Sequence, residues 1–440
     1  MHNEDIEYKN WYTGIFSINY LFQGFNVSIF AVVVPIYLLI LLLSAGVTIS
    51  ASDIAMIASI VLLPWAIKLF FGMLSDKFGI KNIGRRRPWI LLPMIAVGIM
   101  WIIIPAIINP YNAIMLFLII GSIINGGVAI SDTAIDGLMM DICPKEQLGR
   151  AQGTCWGFRS VGQIIGGPLL AYLIVSLNVS VETIFIGFGF FMMIISFSII
   201  IVKEPLDYPE VNIGKHFKKM LNKTDFKVYL FSLSNALIDG VATVFLSLYI
   251  LIKMNILTSK AASLDLETTD VGIYVIQANV NLVISLGIVV GAIVGGIFSD
   301  KIQRRLSVYL AYILATISLC LMAVPQEILM YYIIAILIGA GMGWRHSSYS
   351  AVAGSMSKRH PEMDSTYLSL CNSFANAGSS VGLALTSLLL AGIGNFEMIF
   401  IILGLIQNIG IIPFIFINPK DFEIERDLKK TPMDILKPEP

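Results

Sequence analysis

Apolar and polar residues alternate along this chain in long blocks. Twelve blocks are apolar for roughly 20 residues or more, which is the length that a helix needs to cross the hydrocarbon core of a bilayer. Their ranges are 13–43, 52–75, 88–108, 111–141, 150–177, 182–202, 227–253, 270–298, 307–324, 327–354, 364–391 and 396–417. The pattern predicts twelve transmembrane helices joined by polar loops.

The composition agrees with a membrane protein. Of the 440 residues, 57% are hydrophobic and 13% are charged, whereas a soluble domain carries about 25% charged residues. The 29 basic and 29 acidic residues balance, so the chain lacks the basic field that nucleic-acid binding requires. The four cysteines lie in or beside apolar blocks without CxxC spacing. We therefore expect no metal site, no disulfide and no cofactor.

The distribution of lysine and arginine predicts the orientation. All but five of these residues lie in loops and termini on the side of the N-terminus; the exceptions are Lys68, Arg159, Lys253, Lys260 and Arg345. The positive-inside rule then makes both termini cytoplasmic, and we expect the cell (plasma) membrane. The predicted divisions are a six-helix half at 1–202, a cytoplasmic linker at 203–226, a second half at 227–417 and a cytoplasmic tail at 418–440.

The two halves repeat each other. Asn19, Gln23 and Gly24 in the first block recur 216 residues later as Asn235, Asp239 and Gly240. A Ser-Asp-Lys sequence ends the second block at Asp76 and recurs 224 residues later at Asp300. The two offsets differ by eight residues, because loop 254–269 is eight residues longer than loop 44–51. The match indicates internal duplication, with two parallel halves of six helices.

Several motifs carry a family resemblance. Gly72-x-x-x-Asp76 followed by Arg85-Arg86-Arg87 resembles the signature loop of the major facilitator superfamily. Pro64-Trp65-Ala-Ile-Lys68, Asp132-Thr-Ala-Ile-Asp136-Gly137 and Thr366-Tyr367-Leu-Ser-Leu-Cys-Asn372 resemble one branch of it. That branch contains bacterial muropeptide permeases, folate–biopterin transporters and acetyl-CoA transporters.

The resemblance implies an all-α membrane protein with 12 transmembrane helices in two six-helix halves, the major facilitator fold. It implies a secondary active transporter of a small molecule that works by alternating access. We also expect a monomer, and no enzyme, because the sequence has no HExxH pair and no Walker-type loop. Helices one, four, seven and ten would line the cavity. Arg85-Arg86-Arg87-Pro88-Trp89 also resembles the glycoside–cation symporters, so a glycoside is the alternative substrate.

Three aspartates within apolar blocks are candidates for proton coupling. Asp132 and Asp136 are four residues apart and share a helix face. Counting along the hairpin of helices four and five places Arg159 opposite Asp132, so an ion pair is expected. It is either a structural tie or part of a proton or substrate site. For Asp239, either a distant helix supplies a cation or the carboxyl group takes up a proton, because an unpaired charge there costs several kcal/mol.

Basic and amide side chains within the blocks are candidates for the substrate cavity. Lys68, Arg159 and Arg345 in one cavity would favour an anionic or amphoteric substrate; alternatively Lys68 reaches towards the cytoplasm. Arg345 with Tyr349 could clamp an anion or a planar ring, or Arg345 could be held by polar groups such as Asn372. Amides at helical spacing complete the candidates: Asn19, Gln23, Asn26, Asn372 and Asn376. Hydrogen bonding between helices is the alternative role of these amides.

Two loops are candidates for gates. The family resemblance implies that Gly72, Asp76, Arg85, Arg86 and Arg87, with Asp300, Arg304 and Arg305 in the second half, latch the cytoplasmic side. Positive-inside topology alone would explain the arginines but not the aspartates. A non-transporting receptor or scaffold is the remaining alternative, and it would not need ionisable residues at mid-span.

Overall fold

The computed structural model describes residues 8–80, 83–204, 220, 222–260, 263–266, 272–324, 326–357, 359 and 364–423. Within these residues, twelve helices are long and apolar enough to cross a membrane. Large apolar side chains such as Phe70, Phe191 and Leu329 are exposed on them, as is expected of surfaces that face lipid. The structure therefore confirms the all-α membrane fold with twelve spans.

The first six spans are helices α1 to α6. Their bounds are Asn10–Ser44 for α1, Ala51–Lys77 for α2, Arg87–Ile107 for α3, Ala113–Ile142 for α4, Lys145–Val175 for α5 and Val181–Ile201 for α6. Three of these spans change their winding: α1 is π-helical at Ile29–Val33, and α2 and α6 are 3-10 helical at Leu63–Ile67 and Ser198–Ile201. Pro64 accounts for the change in α2, since it has no N–H to continue an α-helix.

The last six spans are helices α7 to α12. Their bounds are Lys223–Asn235 and Asp239–Lys253 for α7, Ile273–Lys301 for α8, Arg304–Met322 for α9, Ile328–Ser357 for α10, Asp364–Ile393 for α11 and Phe396–Ile415 for α12. A short helix α13 follows at Pro419–Phe422. Between α7 and α8, strands β1 (Leu257–Lys260) and β2 (Ser263–Leu266) form an antiparallel hairpin.

Helix α7 is interrupted, although the sequence predicts one continuous helix over 227–253. Residues 236–238 form a turn, and Asp239 is the first residue of the second helical part. A carboxylate at that position is favoured by the partial positive charge of a helix N-terminus. The break therefore places Asp239 at a helix N-terminus in the middle of a span.

The chain forms two compact units. Unit 1 comprises Met1–Ile213 with Asn255–Leu282, and unit 2 comprises Gly214–Met254 with Val283–Pro440. Helix α8 is shared, because its residues up to Leu282 belong to unit 1 and the rest belong to unit 2. Each unit is described below by its own contacts.

Glycines bring pairs of helices into backbone contact in both units. In unit 1, a Cβ on Gly24 of α1 would lie 2.1 Å from the carbonyl oxygen of Arg159 on α5. In unit 2, a Cβ on Gly378 or Gly382 of α11 would lie 1.8 or 1.6 Å from the carbonyl oxygens of Leu233 and Leu237 on α7. Larger residues would force these helices apart, so the glycines fix the α1–α5 and α7–α11 packing.

Candidate functional site

Asp132 on α4 is the centre of a charge cluster in unit 1. Its carboxylate is fully buried; Oδ2 accepts a hydrogen bond from Lys68 Nζ on α2, and Oδ1 lies 3.6 Å from Arg159 Nη1 on α5. The ion pair that the sequence predicts between Asp132 and Arg159 is therefore present. Lys68 joins it instead of reaching towards the cytoplasm. One buried carboxylate is thus shared by two cations from different helices.

The irregular part of α2 brings Lys68 to this position. Lys68 begins the α-helical segment that follows the 3-10 turn at Leu63–Ile67. Within that turn, Trp65 Nε1 donates to Asn125 Oδ1 on α4 over 3.0 Å. The indole thereby ties α2 to α4 one turn of helix before Lys68, and the Lys68 ammonium lies 5.5 Å from the same ring.

Asp136 lies one turn after Asp132 but has different partners. Its Oδ1 accepts a hydrogen bond from the hydroxyl of Tyr20, a fully buried residue of α1. Among the side chains that the structure describes, no lysine or arginine forms an ion pair with Asp136. The two carboxylates of α4 therefore differ: Asp132 has two cations, and Asp136 has a neutral phenol.

Two tryptophan rings flank Arg159. Its guanidinium carbon lies 5.1 Å from the centroid of Trp65 and 4.9 Å from that of Trp156, within the range of cation–π attraction. The side chain keeps 13% of its surface exposed, whereas Asp132 is fully enclosed. Of the two cations in the cluster, Arg159 is thus the one that has a long contact with Asp132 and also has accessible surface.

A second cluster lies in unit 2 around Asp239. Arg345 Nη2 on α10 is 3.7 Å from Asp239 Oδ1, and His346 Nε2 is 3.2 Å from Oδ2. Of the two alternatives for Asp239, a cation from a distant helix is therefore the one observed. Arg345 is 1% exposed, whereas the His346 side chain keeps 46% of its surface exposed.

Arg345 has further partners that the sequence analysis did not identify. Its Nη1 donates to Gln407 Oε1 over 3.0 Å, and its guanidinium carbon lies 5.2 Å from the ring centroid of Tyr312. Asn372, the expected alternative partner, is exposed. The sequence does contain a sign of this role for Gln407, because Gln407 and Asn408 are adjacent amides within the last apolar block. Both amides donate to Thr316 Oγ1 of α9.

The other cavity candidates divide by their contacts. Asn19 donates to Ser198 Oγ on α6, and Asn26 accepts from Trp101 Nε1 on α3, so these two amides join helices within unit 1. Gln23, between them, is fully buried, and neither of its amide atoms has a hydrogen-bond partner among the described residues. In unit 2, Tyr349 donates to Ser232 Oγ over 2.9 Å, and Asn376 is half-buried.

The arginine loop of unit 1 is held by two acids. Arg85 and Arg86 each bond Asp141 Oδ2 at the end of α4, over 2.9 and 3.1 Å, and Arg86 also donates to Ser75 Oγ. Glu204, after α6, accepts the backbone N–H groups of Arg85, Arg86 and Arg87. Glu204 therefore caps the N-terminus of α3. Gly72 packs against α4, where a Cβ would lie 3.3 Å from Thr133 Cγ2.

The arginine loop of unit 2 repeats this arrangement. Glu423, after α12, accepts the backbone N–H groups of Arg304 and Arg305 over 3.1 and 2.7 Å. Arg304 Nη1 also donates to Ser355 Oγ at the end of α10. Neither capping acid was predicted from the sequence, although their separation of 219 residues falls between the two repeat offsets. The side chains of Asp76 and Asp300 lie outside the described part of the structure.

Comparison with known proteins places these features in one family. The sequence profile described as Major Facilitator Superfamily matches residues 16–266 and 228–437. A Rickettsia bellii protein that carries the name transporter AmpG 1 is 30% identical over 125 residues, 27% of this chain and 30% of that protein. Folate-biopterin transporter 4 of Arabidopsis thaliana is 25% identical over 142 residues, 32% of this chain and 28% of that protein. These alignments span about a third of the relatives' length.

A solved structure extends the likeness to nearly the whole chain. A bacterial homologue of the human lysosomal transporter Spinster, crystallised in an inward-facing and unoccupied conformation, has a TM-score of 0.63 at 12% identity. The match covers 93% of this chain and 96% of that chain. At this identity the likeness shows the fold alone.

Proposed function

The chain belongs to the Major Facilitator Superfamily of membrane transport proteins, and from this premise we propose that it is a secondary active transporter of a small anionic or amphoteric solute. The proposed mechanism is alternating access, with protons as the coupling ion. The protein would act as a monomer in the cell (plasma) membrane, with both termini cytoplasmic. The observation that carries the proposal is the pair of buried charge clusters, one in each unit.

The cluster of unit 1 supports an anionic group on the substrate. Lys68 and Arg159 share one carboxylate, and the 3.6 Å separation of Arg159 from Asp132 is longer than a close charge-assisted hydrogen bond. A carboxylate or phosphate oxygen of the solute could therefore bind Arg159 without first breaking a short hydrogen bond between Arg159 and Asp132. Trp65 and Trp156 would contact the apolar part of the same solute.

The second carboxylate of the cluster supports proton coupling. With Lys68 and Arg159 charged and both Asp132 and Asp136 ionised, the cluster has no net charge. Proton uptake by Asp136, which has a phenol and no described cation as partner, would give a net charge of +1. A substrate anion would then restore neutrality, and in a medium of low dielectric constant a neutral cluster is strongly favoured.

The repetition of the cytoplasmic loops supports alternating access. Both arginine loops are fixed to the end of their own unit by a capping glutamate, Glu204 or Glu423. Each loop thus moves with its own unit and could close or open the cytoplasmic side as a rigid element. In unit 2, Arg345, His346 and Asp239 would supply the second set of substrate or proton contacts.

A ligand screen tests the substrate class. The purified protein would be heated with acetyl-CoA and other CoA esters, muropeptides, pterins, folates and disaccharides. A ligand at 100 times its Kd stabilises the folded state by about 2.7 kcal/mol, a clear shift in Tm. We expect an anionic hit that is lost in Arg159→Ala and retained in Arg359→Ala, a matched control because Arg359 pairs with Asp421 and is 42% exposed.

The alternatives predict other outcomes. A disaccharide hit that is insensitive to Arg159→Ala and Arg345→Ala would overturn the anionic substrate and indicate a glycoside–cation symporter. A non-transporting receptor or scaffold would keep its function when Asp132 and Asp239 are neutralised. Uptake of the hit into proteoliposomes that does not respond to a pH gradient would overturn proton coupling.

A further inference from the structure

Arg345 in unit 2 stands apart from the carboxylate that pairs with it. Its Nη2 is 3.7 Å from Asp239 Oδ1, whereas a hydrogen bond between a guanidinium and a carboxylate is about 2.7–2.9 Å long. Nε and Nη2 of Arg345 have no hydrogen-bond partner among the residues that the structure describes, although Arg345 is 1% exposed. An arginine that could bond Asp239 through two N–H groups is therefore kept at a distance from it.

Gln407 on α12 holds the guanidinium at this distance. Arg345 Nη1 donates to Gln407 Oε1 over 3.0 Å, and the guanidinium carbon lies 5.2 Å from the ring centroid of Tyr312 on α9. Tyr312 is itself fixed, since its hydroxyl donates to Asn235 Oδ1 over 3.3 Å. Arg345 is thus held by one directional hydrogen bond and one ring contact, and neither of them involves Asp239.

Thr316 on α9 determines which end of the Gln407 amide meets Arg345. A hydroxyl group has one donor and two acceptor positions, and Thr316 uses all three. Its Oγ1 donates to the Gly404 carbonyl over 3.1 Å. The same oxygen accepts from Gln407 Nε2 over 3.1 Å and from Asn408 Nδ2 over 2.8 Å. Because its proton is engaged by Gly404, Thr316 can only accept from Gln407, and Oε1 is left for Arg345.

The winding and packing of α12 bring Gln407 to this place. Gln407–Gly410 is a short 3-10 segment within the helix. Glycines about one turn before and after Gln407 lie close to α9. A Cβ on Gly404 would lie 3.3 Å from Leu319 Cβ, and a Cβ on Gly410 would lie 2.3 Å from the Tyr312 hydroxyl oxygen. The contact between α9 and α12 therefore fixes the Gln407 amide and the Tyr312 ring together.

His346 is the nearer basic partner of Asp239. Its Nε2 lies 3.2 Å from Asp239 Oδ2, and its side chain keeps 46% of its surface exposed. If Arg345 closed on Asp239 as a fork, with Nε and Nη2 each bonding one oxygen, it would take the oxygen that now meets His346. The distance that Gln407 maintains therefore keeps Asp239 available to an exposed side chain.

We propose that Gln407 is a positioning residue, which holds Arg345 out of hydrogen-bond distance of Asp239. The pair of Asp239 and His346 is thereby left as the part of the cluster that meets the solute or a proton. Arg345 contributes its positive charge from a fixed place, and Thr316 acts through Gln407. The inference rests on the use of this cluster in transport that is proposed above, and it adds which of its residues make the contacts.

The test measures the rate at which diethyl pyrocarbonate modifies His346. This reagent reacts with an unprotonated imidazole nitrogen that is not engaged by a partner. The detergent-purified protein is used without solute or pH gradient, and the modified peptide is quantified by mass spectrometry. In Gln407→Leu and in Thr316→Val, Arg345 should close on Asp239 and release His346. We expect the modification rate to rise roughly 2- to 10-fold in both, the range that one hydrogen bond supports.

Two control variants lie at the same contact. Asn408→Leu makes the same kind of change at the neighbouring amide, which donates to Thr316 and makes no hydrogen bond to Arg345 in the described part of the structure. Thr316→Ser keeps the hydroxyl that orients Gln407. We expect the wild-type rate of His346 modification in both controls.

A double variant separates positioning from a general loosening of the bundle. In an Asp239→Ala background, Gln407→Leu should cause no further rise in the rate, because its effect on His346 acts through Asp239. Loosened packing would raise the rate in that background as well.

Three outcomes would overturn the proposal: a rise that persists in the Asp239→Ala background, an equal rise in Asn408→Leu, or the wild-type rate in both Gln407→Leu and Thr316→Val. The assay needs neither a solute nor transport. A failure of the proposed transport function in the ligand screen is therefore distinguishable from a failure of Gln407 as a positioning residue.

Discussion

In unit 1, the buried carboxylate Asp132 is held by Lys68 and Arg159, whereas in unit 2 Asp239 is held by Arg345 and His346. The acid of unit 1 lies on α4, the fourth helix of its half, and the acid of unit 2 lies on α7, the first. The position of α1 that matches Asp239 in the repeat is Gln23, a neutral residue. The acids of the two clusters therefore occupy different helices of their halves.

Two kinds of helix contact, in contrast, recur in both halves. Gly24 and Gly240 match in sequence, and both lie in close contact with the fifth helix of their half. Tyr37 on α1 donates to Glu182 on α6, and Tyr249 on α7 donates to Glu397 on α12, over 3.1 and 3.3 Å. These helix contacts thus recur in both halves, whereas the buried charges differ. We infer that divergence at these positions gives the two clusters separate roles.

Removing Asp132, the acid of unit 1, should have the largest effect on the free energy of unfolding. Asp132→Asn leaves Lys68 and Arg159 close together without a full counter-charge. We expect the free energy of unfolding to fall by about 3–5 kcal/mol, the usual consequence of breaking a buried ion pair. Denaturation in mixed detergent micelles measures it. Adding Lys68→Met removes one excess charge and should recover part of the loss; a double variant no more stable than Asp132→Asn would contradict this account.

Removing the acid of unit 2 should have a smaller effect. In Asp239→Asn, Arg345 keeps its hydrogen bond to Gln407 and its contact with the Tyr312 ring, and Asp239 itself is 15% exposed. We expect a loss of about 1–3 kcal/mol, the range for a charged hydrogen bond with remaining partners, by the same denaturation assay. If Asp239→Asn proved as destabilising as Asp132→Asn, the proposed difference between the clusters would be wrong.

The smallest effect on the free energy of unfolding should come from exchanging Asp141 and Ser355, the residues at the ends of α4 and α10. Asp141 pairs with Arg85 and Arg86 in unit 1, while Ser355 bonds Arg304 in unit 2. Asp141→Ser should cost roughly 0.5–1 kcal/mol, and Ser355→Asp should contribute a similar gain, because these ion pairs lie at the ends of helices, and Arg86 keeps its hydrogen bond to Ser75. High salt should reduce both changes in the free energy of unfolding. Equal signs for the two substitutions would contradict the comparison.

Sequence reasoning predicted the features that follow from local pattern. The twelve spans follow from apolar length, and the pairing of Asp132 with Arg159 follows from the geometry of a short hairpin. It did not predict the contact of Lys68 with Asp132, because that depends on the 3-10 turn at Leu63–Ile67. Gln407 as the partner of Arg345, and the interruption of α7, depend on how distant helices pack. Spacing within one segment does not contain that information.

The most direct test of the account is proton movement in proteoliposomes that carry the wild-type protein or Asp136→Asn, with a pH-sensitive dye inside. The ligand is the compound that raises Tm most in the screen. We expect this compound to drive proton entry with the wild-type protein. With Asp136→Asn, proton entry should be absent while exchange of labelled for unlabelled ligand continues. Proton entry at the wild-type rate in Asp136→Asn would contradict the assignment of Asp136 as the coupling group.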